Sequence, residues 1–583
     1  MGAKKTSVEE ILARAKRWAE EDVVEADGLA VHRAIEALDL EFLLKGFKSP
    51  LDFGTAGLRG GVGPGPGQMN CSLVTKVSWA LGEFLNKLRP GVVGALVVIG
   101  FDARPESSLF ASFAAAVLRG QGARVVLSDK PMPTPVIAFS VRHLRAQAGI
   151  VVTASHNPRG DNGFKVYDDQ GSQIVTPWDT EIATLFRASP AAASIARLES
   201  GIEGLDDQVV ESYLWMVQAT AKSWVPFSEQ AERGSFPVAY TPLHGVGAQL
   251  FERALSGFRS LQLLSVKEQR EPDGTFPTVP FPNPEEEGAL DLLLQLGKAN
   301  KCEAAFAHDP DADRFALCLP LGGETLTRLS GDAVALLFLD SLFEQSFDAP
   351  RAIVSTVVSS PAAKELTLAA GHRFVQTLTG FKWLCHAASE EENFAFAYEE
   401  ALGYCFRAPA PFTTVMDKDG LLAGVCMARM IAREGGGREL AKRLLAIYKR
   451  IGQWGSFISA LRLEGDEGKS RMESYLSRIR KDPPHSLGEL RVSQVEDFSL
   501  QMSARPWYCG QQDLIAFDLV AQDERSPVRE GRVLLRPSGT EAKLKLYLHL
   551  KSNYRGEAQF PVVQALQGEM AGRIARELFD AEE

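Results

Sequence analysis

The chain has 583 residues, with 63 Lys and Arg against 74 Asp and Glu, a formal net charge of −11. At about 150 residues per domain this length accommodates roughly four domains, and 45% hydrophobic with 23% charged residues is ordinary globular composition, which excludes a disordered chain. The acidic balance excludes a general nucleic-acid coat or a basic membrane patch, so an anionic ligand has to be met by a local cluster of cations and amides.

The opening stretch MGAKKTSVEEILARAKRWAEE carries charge where a secretory signal needs an apolar run. No segment approaches the ~18 apolar residues of a membrane span. The 7 cysteines are widely spaced and form no C-x-x-C pair, which points away from a disulfide framework and a zinc site. A cytoplasmic protein with no membrane or nucleic-acid partner is expected.

In chain order, ALVVIGFDAR (95–104) reads as a buried strand, 107–119 as a helix, RVVLSD (124–129) as a strand, 137–147 as a helix and AGIVVTAS (148–155) as a strand. Strands alternating with helices predict crossover connections and a mainly parallel sheet. The pattern returns with strands at 237–247, 261–269 and 302–311 and helices at 248–257 and 285–299. It returns again with strands at 352–360, 373–378 and 394–404 and helices at 331–346, 361–371, 381–391 and 419–434. After Gly452 a helix at 467–480, alternating segments at 490–500, 513–520, 531–537 and 544–550, and a last helix at 562–579 predict a smaller α+β unit with an antiparallel sheet. The fold class is therefore α/β: three similar α/β domains with mixed, mainly parallel sheets, then an α+β domain. The expected division is 1–206, 207–328, 329–452 and 453–583, with linkers near 200–208, 320–330 and 448–456.

Ligands of open α/β sheets sit beyond the carboxyl ends of the strands, and the unusual residues fall there. TASHNPRGDNGFKVYDDQGSQI begins at Thr153 and places Ser155 at the end of an apolar strand, followed by His156. A Gly-rich turn offers backbone amides and brings Lys165 back toward the serine; a capped polar turn is the plainer reading of the same residues. His308-Asp309-Pro310-Asp311-Ala312-Asp313-Arg314 sets three carboxylates at alternate positions of one turn. Their repulsion is relieved by a hard divalent cation, and oxygen-only ligation suits Mg²⁺. An EF-hand would need Gly and Glu where Arg314 and Pro320 stand. Arg536-Pro537-Ser538-Gly539-Thr540-Glu541, with Lys543 and Lys545 following, supplies a guanidinium fork, hydroxyls and amides that fit a phosphate dianion. Tyr398-Glu399-Glu400-Ala401-Leu402-Gly403-Tyr404 offers paired carboxylates for sugar hydroxyls. GTAGLRG (54–60) is Gly-rich and ends in a cation, with the spacing of neither a P-loop nor a dinucleotide fingerprint.

These segments together, in order along nearly the whole chain, resemble the α-D-phosphohexomutase family. TASHNP resembles its phosphoserine loop, DPDADR its magnesium loop, EEALGY its sugar-recognition loop, RPSGTE its phosphate-binding loop and GTAGLRG its N-terminal signature. TLTGFKWL (377–384) and DKDG (417–420) look most like the phosphoglucomutase and phosphopentomutase branch.

The resemblance implies four domains around a central cleft, and it implies roles. Ser155 would carry the phosphoryl group. Asp309, Asp311 and Asp313 would bind Mg²⁺, with a phosphoserine oxygen as a further ligand. Arg59, His156, Lys165 and Arg314 would surround the transferring group. Thr379, Gly380, Phe381 and Lys382 would lie in the loop that distinguishes sugars; Glu399, Glu400 and Gly403 would form the sugar-recognition loop. Arg536, Ser538, Gly539, Thr540 and Lys543 would hold the phosphate that does not react.

Gln68 stands where the family pattern leads one to expect Arg, Tyr404 where some relatives have His, and Ala542 where Pro is usual. The implied activity is interconversion of glucose 1-phosphate and glucose 6-phosphate, with glucose 1,6-bisphosphate as intermediate and activator, by a monomer or weak homo-oligomer. Phosphopentomutase, phosphomannomutase and bisphosphate synthase activities stand beside it. So do a haloacid-dehalogenase-type transfer through Asp309 and a non-enzymatic sugar-phosphate-binding regulator.

Overall fold

The computed structural model describes residues 8–54, 57–88, 94–227, 235–462, 468–500, 512–537 and 543–580. Four sheets follow one another along the chain. In the first, Leu96–Phe101 pairs in parallel with Arg124–Leu127 and Ala148–Val152. In the second, Phe236–Thr241 pairs in parallel with Leu261–Ser265 and Ala304–His308. In the third, Ala352–Thr356 pairs in parallel with Arg373–Thr377 and Phe394–Glu399. Strands Ala148–Val152, Ala304–His308 and Ala352–Thr356 are buried throughout, as continuous apolar runs with both faces covered must be.

Each of these sheets then reverses. Ala148–Val152, Ala304–His308 and Phe394–Glu399 are answered by antiparallel return strands Asp161–Tyr167, Phe315–Leu319 and Gly403–Phe406. The segments 153–160, 309–314 and 400–402 are thus turns at one topological position, repeated three times. Strand Leu58–Gly61 adds to the first return strand, pairing Arg59 with Gly163. The fourth sheet is antiparallel throughout: Gln453–Arg462, Lys543–Ser552, Glu530–Pro537, Ile515–Ala521, Leu490–Asp497 and Ser486–Leu487 in spatial order.

One buried cluster joins Val98, Phe306 and Phe396 of the first three sheets to Phe560 at the start of the final helix. The sheets are therefore packed on each other, which fixes the turns relative to one another.

The α/β and α+β expectation holds, with local differences. The runs read as strands at 148–155, 237–247 and 302–311 end at Val152, Thr241 and His308, so the polar residues after them are freed into turns. The helix expected over 285–299 starts at Asp291. Helix Gly437–Ile451 and strand Gln453–Arg462 occupy the segment expected as a linker near 448–456. Helices Val8–Glu21, Glu25–Ala37 and Leu40–Phe47 form a small bundle with its own core of Ile11, Ala15, Val31, Ala34, Leu43 and Phe47.

Candidate active site

Ser155 lies in the first turn with φ 53°, in the left-handed region, and is 3% exposed. Its Oγ is 2.9 Å from Asp309 Oδ2 and 3.1 Å from His156 Nδ1. A non-glycine residue in that conformation persists only where its surroundings over-determine it. Here Ser155 N–H donates to Thr153 Oγ1 at 2.8 Å, and Arg104 Nη2 donates to the Ser155 carbonyl at 2.9 Å. Arg59 reaches the same turn from its neighbouring strand, donating from Nη1 to Asn157 Oδ1 at 3.2 Å.

The three aspartates are buried, each 0% exposed. Lys165, carried on the return strand, places Nζ 2.8 Å from Asp311 Oδ2 and 3.0 Å from Asp313 Oδ2. Lys418 Nζ is 3.3 Å from the same Asp313 oxygen, and Thr134 Oγ1 donates to Asp311 Oδ2 at 2.8 Å. Asp309 Oδ1 accepts the Arg314 amide at 3.0 Å. These bonds occupy one oxygen each of Asp311 and Asp313; the other two, both named Oδ1, are buried and have no partner among the described residues. One ligand oxygen from each of the three acids lies within 4.8 Å of the others. An all-oxygen set with orphaned buried acceptors fits a hard divalent cation such as Mg²⁺.

The charges divide unequally. Burial pushes all three carboxyls up. For Asp313 the Lys165 and Lys418 ammonium groups and Arg314 outweigh it, and for Asp311 Lys165 and Thr134 do, so both lie below the usual carboxylate range. Asp309 keeps the cost of burial and the repulsion of Asp311 and Asp313, and its carboxyl is held well above the usual range. That is the deficit a divalent cation would cancel. Burial, then Arg314 and Arg59, hold His156 well below the ordinary imidazole range, so it is uncharged.

Around this centre opens a cleft of about 630 Å³, lined among others by His156, Glu285, Arg314, Glu400, Ser456 and Lys543, so that all four sheets contribute to its wall. Burial raises Glu399, and burial with Glu399 and Asp332 raises Glu400 to about 7. Glu400 Oε2 accepts from Thr356 Oγ1 at 3.1 Å and Ser359 Oγ at 3.2 Å. Gly403 leaves room for the Lys418 stem, which a Cβ there would meet at 2.4 Å. Phe381 is buried beneath Lys418, 5.4 Å from its Nζ. Thr379 Oγ1 is buried without a partner among the described residues, and Gly380 caps the following helix with φ 120°. Lys382 is buried against Trp383, with burial lowering its ammonium to about 8. Thr379–Lys382 does not contribute to the wall of this cleft among the described residues.

On the fourth sheet, Arg536 Nε is buried without a partner among the described residues. Burial and the charges of Arg536 and Lys543 lower Lys545, and the Glu400 carboxylate offsets this only in part. Ser538, Gly539 and Thr540 lie outside the described residues. Tyr404 is buried, its hydroxyl 3.5 Å from the Gly331 carbonyl, and takes no part in the centre. Gln68 is buried and donates to the Val62 carbonyl at 3.2 Å.

Family models described as phosphoglucomutase/phosphomannomutase alpha/beta/alpha domains I, II and III match residues 50–192, 211–322 and 330–451, in that order. The chain belongs to the phosphoglucomutase/phosphomannomutase family. It is a sugar-phosphate mutase, an isomerase acting by intramolecular phosphoryl transfer. A phosphoglucomutase of Staphylococcus epidermidis is 32% identical over 523 residues, covering 88% of this chain and 92% of its own. A probable phosphoribomutase of Schizosaccharomyces pombe is 32% identical over 568 residues, covering 91% and 92%. The fold matches the crystal structure of a putative phosphomannomutase from Thermus thermophilus with TM-score 0.66 at 23% identity, over 91% of this chain and 99% of that one. Each of the three matched domains holds the three parallel strands and the return strand given above for one of the repeated sheets, and the N-terminal helical bundle precedes the first matched residue. Among the described residues no helix is long and apolar enough to cross a membrane.

Reading the sequence left out three residues of the centre. Arg104, Thr134 and Lys418 all point side chains at the Ser155 turn or the acidic turn from elements distant in sequence. Each has a local signal: Arg104 follows the end of an apolar strand, Thr134 opens a helix between two prolines, and Lys418 sits between two acids.

Proposed function

We propose that this family member interconverts glucose 1-phosphate and glucose 6-phosphate, with Ser155 as the residue that is phosphorylated and dephosphorylated. In the first step the bond from phosphorus to Ser155 Oγ breaks and a bond to the free sugar hydroxyl forms; the hydroxyl's proton is, in balance, exchanged for the one Ser155 regains. The product is the 1,6-bisphosphate. After it turns over in the cleft, the other phosphoryl group returns to Ser155 and the isomerised monophosphate leaves. His156, uncharged and 3.1 Å from Oγ, is placed to take the serine's proton in the return step. Lys165 is committed to two carboxylates, so it serves as a fixed positive charge. Arg59 and Arg314 supply further donors around the reacting oxygens.

Asp309, Asp311 and Asp313 would hold Mg²⁺, which when bound supplies positive charge against the transferring phosphoryl oxygens. Arg536, Lys543 and Lys545 meet the phosphate at the far end of the sugar, and Glu399 its hydroxyls. Burial of Ser155 itself limits the access of water to the phosphoserine.

The observation that carries this reading is the 2.9 Å contact between Ser155 Oγ and Asp309. The experiment compares turnover on glucose, mannose and ribose 1-phosphates with Mg²⁺ and a trace of the matching bisphosphate. Highest kcat/KM on glucose 1-phosphate is expected. Preference for ribose 1-phosphate would support a phosphopentomutase instead, a reading favoured by equal identity to the relatives named phosphoglucomutase and probable phosphoribomutase.

A further inference from the structure

Arg104 is enclosed, its side chain 0% exposed, and all five guanidinium N–H groups are used. Nε donates to Asp102 Oδ2 at 3.1 Å. Nη1 donates to the carbonyls of Pro158 and Asp161 at 2.8 and 2.9 Å, and Nη2 to those of Ser155 and Asn157 at 2.9 and 2.6 Å. The Phe276 ring, from the second sheet's side, covers the guanidinium 5.0 Å from Cζ. A second path reaches Ser155 from Asp102: Thr153 Oγ1 donates to Asp102 Oδ2 at 2.7 Å and accepts the Ser155 amide at 2.8 Å.

A trans peptide points its carbonyl and the next N–H in opposite directions. Gathering the Ser155 and Pro158 carbonyls on one cation therefore turns the His156 and Arg159 amides away from it. Neither amide donates to another group among the described residues. Outward amides left without a protein partner can donate to an anion.

We infer that Arg104 is the positioning residue of the Ser155 turn: it draws four carbonyls inward, leaves the amides for the phosphoryl group, and so fixes where Ser155 Oγ stands against Asp309. It touches neither that hydroxyl nor the three acids. The inference rests on the reading of Ser155 as the phosphoryl carrier. Lysine cannot substitute, because its three donors lack the planar fork.

The test is R104K, which keeps the charge beside Asp102, assayed with S155A and T153V. R104K is expected to lose roughly 100-fold in kcat, the scale of an ångström-sized misplacement of a reacting group. KM for the sugar phosphate and calorimetric Mg²⁺ affinity should stay within about threefold, because neither binding surface is altered. A wild-type kcat in R104K overturns the inference, and so do parallel losses in kcat, KM and Mg²⁺ affinity, which would mean only that the fold had loosened. If R104K does not fold, T153V decides: about tenfold slower kcat at unchanged KM supports positioning, and an unchanged kcat overturns it. Retained turnover in S155A would remove the reading underneath; an inactive S155A beside a fully active R104K removes this inference alone.

Discussion

Ser155 Oγ and Asp309 Oδ2 stand 2.9 Å apart although 154 positions separate them in sequence. Each sits in the turn between the last parallel strand of its sheet and an antiparallel return, the first sheet for Ser155 and the second for Asp309. The contact is held from both sides. Lys165 and Thr134 of the first sheet's unit grip Asp311, and Lys165 also grips Asp313.

Thr134 gives the sharpest test of the acidic turn. Its hydroxyl holds Asp311 Oδ2, which leaves Oδ1 directed elsewhere and unpartnered among the described residues. The backbone bond from Thr134 N to the Asp311 carbonyl, 2.9 Å, does not depend on the hydroxyl. T134V should therefore keep the turn docked and weaken Mg²⁺ binding by roughly tenfold, the lower end for loss of a partner that orients a metal ligand. Isothermal titration of the metal-free protein with Mg²⁺ measures it; an unchanged affinity would show that Thr134 does not set the ligand.

Asp168 gives the pH dependence. It is buried, accepts the Gln170 and Ser172 amides at 2.9 and 3.0 Å, and burial lifts its carboxyl to about 7. A carboxyl raised on folding binds its proton more tightly in the folded state. Its contribution is complete below the ordinary carboxylate pKa and is lost as pH rises toward 7, to a limit of about 4 kcal/mol. D168N keeps an acceptor for both amides and removes the titration. The melting temperature of the wild type should fall between pH 4 and about 7 more steeply than that of D168N, with D168N the more stable at pH 8. Parallel curves would contradict the assignment.

The parts legible in the sequence were those carried by contiguous residues. DPDADR states its own electrostatic problem within one turn, and TASHNP follows a strand whose apolar run is unmistakable. The parallel sheets were legible for the same reason. The return strands were not: in Asp161–Tyr167 polar residues interrupt the apolar run, and Gly403–Phe406 is only 4 residues long. Without them the threefold repetition of one hairpin position stays hidden.

The supporting residues were hidden differently. Lys418 belongs to the centre only because Gly403 lets its stem pass and Phe381 supports it. Its place between two acids marks Lys418 as unusual, but the packing that brings it to Asp313 joins segments distant in sequence. The N-terminal bundle, by contrast, was readable, since Ile11, Ala15 and Trp18 recur at helical spacing.

The most direct measurement is covalent labelling with glucose 1,6-bisphosphate carrying radioactive phosphate. One acid-stable label per chain on Ser155, transferred to sugar when glucose 1-phosphate is added and absent in S155A, is the predicted result. An acid-labile, hydroxylamine-sensitive label on Asp309, or mutase turnover retained by S155A, would contradict it.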